Sequence, residues 1–77
     1  MTFARLLGRN LRRARERVHL SQKDLAVRAG VGQSTINRYE NGRIAPRLEP
    51  FVKLAIALGV SPCSLLPGLE WAPKAGA

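Results

Sequence analysis

Residues 20–42, reading LSQKDLAVRAGVGQSTINRYENG, carry two short helical patterns joined by Gly30-Val31-Gly32, and this helix, turn, helix order constrains the whole chain. Ser21 is a candidate N-cap with Asp24 three residues on, a capping box with Asp in place of Glu, so a helix is expected to start near Gln22. Leu25 and Ala29 stand four apart on one face, Ala26 is small enough to let another helix cross closely, and Gly30 can take the left-handed conformation that ends a helix. A second helix then fits residues 33–41. On it Ile36, Tyr39 and Glu40 share one face, while Ser34, Asn37, Arg38 and Asn41 share the other. Its apolar side is narrow. A helix that is anchored by few side chains and shows amide, hydroxyl and guanidinium groups to solvent suits the DNA major groove, whose base edges those groups can read.

The rest of the chain supports this pair of helices. Over residues 3–18 the apolar positions Leu7, Leu11, Ala14 and Val18 recur at helical spacing, widened by Phe3 and Leu6, with Arg5, Arg9, Arg12 and Glu16 opposite. Arg15 and Arg17 flank this stripe on its two sides, and the period leaves open which of them is drawn inward. Residues 43–47 form a loop. Pro46 biases Ala45 towards an extended conformation, and Glu49 and Pro50 fall in the first turn of a further helix that buries Phe51, Leu54, Ala55 and Leu58 and stops at Gly59. A short last helix opens with Ser61 as N-cap and Pro62 at its first position and carries Leu65 and Leu66 until Pro67. Cys63 is expected to be a small packing residue, and His19 a bend residue rather than a ligand. The segments add up to an all-α fold, a compact bundle of five short helices over residues 3–66, with residues 67–77 as an irregular tail interrupted by Trp71.

Charge and cysteine usage narrow the function. A chain of 77 residues makes one domain, and its formal charge of +8, with arginine dominating the basic residues, points to nucleic acid as the partner. Cys63 is the only cysteine, so neither an internal disulfide nor a cysteine pair for a metal is available, and a reducing cytoplasm fits. No apolar run is long enough for a signal peptide or a membrane span. A basic amphipathic first helix could lie on an anionic membrane, but its apolar face is needed by the helices that follow. An enzyme is not expected, because so short a chain can hardly enclose a pocket where base, nucleophile and oxyanion donors converge. A cofactor is not expected either: Gly30-Val31-Gly32 lacks a phosphate-loop lysine.

Taken in order, Arg15, Leu20-Ser21-Gln22, Leu25-Ala26, Gly30-Val31, Glu40-Asn41-Gly42, Pro46 and the run 54–60 resemble the helix-turn-helix domain of Cro/CI phage repressors, also called the xenobiotic-response-element family. The resemblance covers roughly residues 6–66 and implies a lambda-repressor-like fold. It also implies a transcriptional regulator, in particular a repressor that binds a pseudo-palindromic operator as a homodimer. Relatives include antitoxins, whose main partner is a toxin and whose DNA binding is autoregulatory, and controllers of restriction-modification operons. Glu40 on the inward face must find a positive partner or lose its charge. In relatives, the arginine of the first helix pairs with the glutamate of Glu-Asn-Gly, which selects Arg15 as that partner. Arg47 departs from the family by standing where Ser or Thr usually caps the fourth helix.

Roles on DNA follow from side-chain chemistry. Gln33 can bond adenine N6 and N7, Ser34 can bond several base edges, and Asn37 and Arg38 extend the same face, with Arg38 suited to guanine O6 and N7. Gln22, Asn41, Arg43 and Arg47 are expected to grip phosphates through side chains and helix-start N–H groups. Leu65, Leu66 and Trp71, lying beyond the three helices that already form a unit, are candidates for the dimer contact, and for Trp71 the sequence leaves open whether it folds back on the core or lies between subunits.

Overall fold

The computed structural model describes residues 2–68, and among them the chain forms five helices and no strand. In order these are α1 (Phe3–Arg17), α2 (Gln22–Ala29), α3 (Gln33–Glu40), α4 (Leu48–Leu58) and α5 (Pro62–Leu65). None of them is long and apolar enough to cross a membrane. Of the expected tail, residues 69–77, with Trp71, lie outside the described residues.

Most boundaries have a local cause. The Thr2 hydroxyl accepts the N–H of Arg5 at the start of α1, and Ser21 and Asp24 exchange the two bonds of a capping box at the start of α2. Gly30 ends α2 with φ 68°, a conformation that costs glycine little because it has no Cβ. Ser61 caps α5 by accepting from the N–H of Cys63, and Pro62 sits in the first turn, where its missing donor is not needed. α4 begins at Arg47 without a side-chain cap, as the arginine there foreshadows.

α1 packs on α3, α2 packs on both α3 and α4, and α5 closes the bundle against α4 and α1. Leu25, Ile36, Leu54 and Ala55 are fully buried where these helices meet, with Leu7, Leu11, Tyr39, Phe51 and Leu58 around them. Removing one such Leu or Ile from water is worth about 1.5–3 kcal/mol. Three expectations are corrected. Val18 does not continue the apolar stripe: α1 ends at Arg17, the backbone turns at His19 with φ 60°, and Val18 is left exposed. Cys63 is exposed, because in so short a helix Leu65 alone reaches the core. Leu65, expected at a subunit contact, is 2% exposed and belongs to the core, whereas Leu66 is exposed.

Candidate nucleic-acid interface

The inner side of α3 is held by a charge cluster as well as by Ile36 and Tyr39. Glu40 Oε2 accepts from Arg15 Nε at 2.7 Å, and Oε1 accepts from Arg15 Nη2 at 3.0 Å and from Gln22 Nε2 at 3.1 Å. The third arm of Arg15, Nη1, donates to the Leu20 carbonyl at 2.7 Å. One guanidinium thus ties α1 to the end of α3 and to the bend before α2, using the fork geometry that lysine lacks. The Glu40 side chain is 3% exposed and that of Arg15 12%. The Arg15 pKa is raised by its hydrogen bond to Glu40, burial opposing and the charges of Glu40 and Glu16 adding to the effect. Such a buried pair contributes little net stability against an apolar replacement, but removing one partner is costly because the other charge stays buried.

Close backbone contact fixes the same end of α3. A Cβ on Gly8 would collide with the carbonyl oxygens of Tyr39 and Glu40, so glycine is what lets α1 cross α3 at that point. Gly42 has φ 71°, and a Cβ there would lie 2.5 Å from Arg5 Cγ and 2.8 Å from Arg5 Cα. The two glycines clamp the C-terminal end of α3 against the first half of α1.

The opposite side of α3 faces solvent. Gln33, Ser34, Asn37 and Arg38 join Gln22 and Arg43 around a shallow hollow of about 620 Å³. The side chains of Gln33, Ser34, Arg38, Arg43 and Arg47 are exposed and make no hydrogen bond or ion pair with the described residues. Gly32, the N-cap of α3, has no side chain to satisfy the first N–H groups of the helix. Backbone donors and amide, hydroxyl and guanidinium groups therefore converge on one polar, cationic face. No carboxylate borders the hollow.

The structure distinguishes among the residues expected to touch DNA. Both ends of the Gln22 amide are engaged, Nε2 with Glu40 and Oε1 with Asn37 Nδ2 at 3.4 Å. Asn41 Nδ2 turns back on its own helix and donates to the Asn37 carbonyl at 2.9 Å and to Asn37 Oδ1 at 3.1 Å. Gln22, Asn37 and Asn41 thus form an amide chain that leads from the buried Arg15–Glu40 pair to the surface. Gln22 acts here as a brace for α3. Arg43 follows the far end of α3 and Arg47 stands at the start of α4, both exposed to solvent.

One set of basic residues has no role assigned from sequence. Arg5, Arg9 and Arg12 line a second hollow of about 270 Å³ with Glu40 and Asn41, so the α1 arginines adjoin the end of α3. The carboxylate in this hollow, Glu40, is already gripped by Arg15 and Gln22. Their i, i+4, i+7 spacing is visible in the sequence as a charged helix face. Its position beside Asn41 depends on how α1 crosses α3.

A family model described as helix-turn-helix matches residues 11–65, more than half of the chain. The chain belongs to the Cro/CI-type helix-turn-helix family. This family member is similar to multiprotein-bridging factor 1 of Debaryomyces hansenii, at 41% identity over 54 residues that make up 70% of this chain and 36% of that protein. It thus spans little more than a third of that relative's length. Among solved structures it is similar to the restriction-modification controller protein C.AhdI from Aeromonas hydrophila, with a TM-score of 0.80 and 33% identity over 82% of this chain and 96% of that one. It is also similar to the P22 c2 repressor protein, solved in complex with a synthetic operator, with a TM-score of 0.76 and 32% identity over the same shares of the two chains. In this family member α2 and α3 are the helix-turn-helix pair, and α3 occupies the place of the recognition helix.

Proposed function

We propose that this chain is a sequence-specific, cytoplasmic DNA-binding transcriptional regulator, a repressor that acts as a homodimer on a pseudo-palindromic operator. The observation that carries this reading is the division of α3 into an inner face clamped by Arg15, Gln22 and two glycine contacts, and an outer face whose Gln33, Ser34 and Arg38 are exposed without protein partners. A helix held rigidly from behind and unpartnered in front suits the major groove. Likeness to the P22 c2 repressor, a protein solved on an operator, supports the same reading.

On this reading Gln33, Ser34 and Arg38 contact base edges, with Asn37 contributing through the amide chain, while Arg43 and Arg47 take phosphates together with the free N–H groups at the starts of α3 and α4. Gln22 and Asn41 act on phosphate only by exchanging the bonds they make within the protein. Arg38→Ala should cost about 1–3 kcal/mol on the preferred operator and relax the choice at one base pair, whereas Arg43→Ala should weaken all sequences alike and reduce the salt slope by about one unit. Operators are obtained by selecting bound fragments from random DNA, and both variants are then titrated on single-base operator changes at several salt concentrations. Equal loss on every sequence for Arg38→Ala, with altered base preference for Arg43→Ala, would reverse the assignment.

Likeness to C.AhdI across 96% of that chain supports a narrower second reading, in which the operator belongs to a restriction-modification operon.

A further inference from the structure

With Leu65 in the core, Leu66 is the one described residue of the expected dimer contact that stays exposed, and a larger apolar surface lies on α4. α4 carries an apolar ridge on its solvent side: Leu48 is 76% exposed, Ile56 is 73% exposed, and half-buried Val52 lies between them at four-residue spacing. The three positions extend roughly 12 Å along the helix. At its N-terminal end the ridge runs into an apolar groove of about 300 Å³ lined by Phe3, Leu7, Pro46, Leu48, Phe51 and Leu66. An exposed apolar patch of this kind, continuous rather than scattered, marks a contact surface.

The charges beside the ridge identify what covers it. Glu49 and Lys53 are the only charged residues of α4, and they bond to each other at 3.2 Å across one helical turn, so the helix itself carries no net charge in a chain of formal charge +8. A two-fold axis that sets two α4 helices antiparallel places the same flank of each helix together and reverses its direction. Glu49 of one copy then faces Lys53 of the other, twice over, and Ile56 of each copy falls opposite Leu48 at the mouth of the groove. The flank is complementary to itself, as an isologous contact requires. A helix without net charge also brings two strongly basic molecules together with less repulsion than a basic one would.

We propose that the Leu48–Val52–Ile56 face of α4 is the surface through which two copies of this chain pair, antiparallel and close to a two-fold axis at Val52. This rests on the homodimer reading above and names its interface. Because Ile56 is exposed, Ile56→Glu should leave the fold intact and raise the dimer dissociation constant about tenfold or more in analytical ultracentrifugation. It should still bind a duplex that carries one half-site. Glu49→Lys alone should weaken the dimer, and adding Lys53→Glu should restore it, even though a basic side chain in the first turn of α4 remains unfavourable. In a Cys63→Ser background, Val52→Cys should give a covalent dimer on mild oxidation. A wild-type protein that is monomeric at every concentration, free and on operator DNA, would overturn the dimer reading and this interface with it. A dimeric wild type that Ile56→Glu leaves unchanged and Leu66→Glu disrupts would overturn the α4 interface alone.

Discussion

α2 and α3 are each eight residues long and both stop at a left-handed glycine, yet their starts are held differently. α2 secures its own ends, with a complete capping box at Ser21 and Asp24 and a left-handed glycine stop at Gly30. α3 starts at Gly32 with no side-chain cap, and its left-handed glycine stop, Gly42 with φ 71°, comes one residue after the cap, where the Arg43 N–H donates to the Arg38 carbonyl at 3.0 Å. The rest of its hold comes from outside: Ile36 and Tyr39 in the core, Arg15 and Gln22 on Glu40, and Gly8 and Gly42 at the crossing with α1. The difference shows how a recognition helix can be held in place without a side-chain cap at its start. Its position is supplied by its neighbours, so the side chains and N–H groups of its first turn remain available to a ligand.

Removing that outside hold should have the largest effect. Arg15→Ala leaves the Glu40 carboxylate buried with Gln22 as its remaining donor, and it should lower the unfolding free energy by about 3 kcal/mol, read from the urea midpoint. A midpoint equal to that of the wild type would mean that α3 does not depend on the pair. Gly8→Ala tests the backbone crossing instead. Its Cβ must push the Tyr39 and Glu40 carbonyls away from α1, at a cost of about 2 kcal/mol, and it should weaken operator binding even where the protein remains folded. Full operator affinity in Gly8→Ala would show that α3 tolerates displacement.

The self-capped helix should respond more mildly. Ser21→Ala removes the box and should cost about 1 kcal/mol in thermal or urea unfolding, while the affinity of the folded protein for DNA stays the same. The smallest effect is a change with pH. Contacts with the Ser21 hydroxyl and backbone N–H hold the Asp24 carboxyl below its usual range, with burial opposing weakly and Arg28 and Lys23 assisting. A depressed carboxyl contributes stability above its unfolded pKa and loses it as pH falls through the folded value. In Ser21→Ala the loss attributable to this carboxyl should shrink, and an acid unfolding limb identical to that of the wild type would show that the box does not set it.

The sequence alone determined the features that depend on residues within about one helical turn. The capping box at Ser21, the stop at Gly30, the opposed faces of α3 and the Ser61-Pro62 start of α5 all follow from neighbours whose side chains must meet whatever the rest of the chain does. Resemblance to the Cro/CI family added the choice of Arg15 over Arg17, which periodicity leaves open. Tertiary structure alone decided the rest. By its chemistry Gln22 reads as a free phosphate contact, and it is instead the brace between Glu40 and Asn37, a role that exists only once α2 lies against α3. Arg5 and Arg12 read as part of a solvated helix face, yet the glycine-mediated crossing of α1 brings them beside Asn41. Leu65 and Cys63 exchanged their expected surroundings, because the rotation of a four-residue helix is set by what it packs on rather than by any period of its own. Helical spacing fixes which residues share a face, but which face meets another helix depends on where the axes cross, and that is decided by contacts between residues distant in the chain.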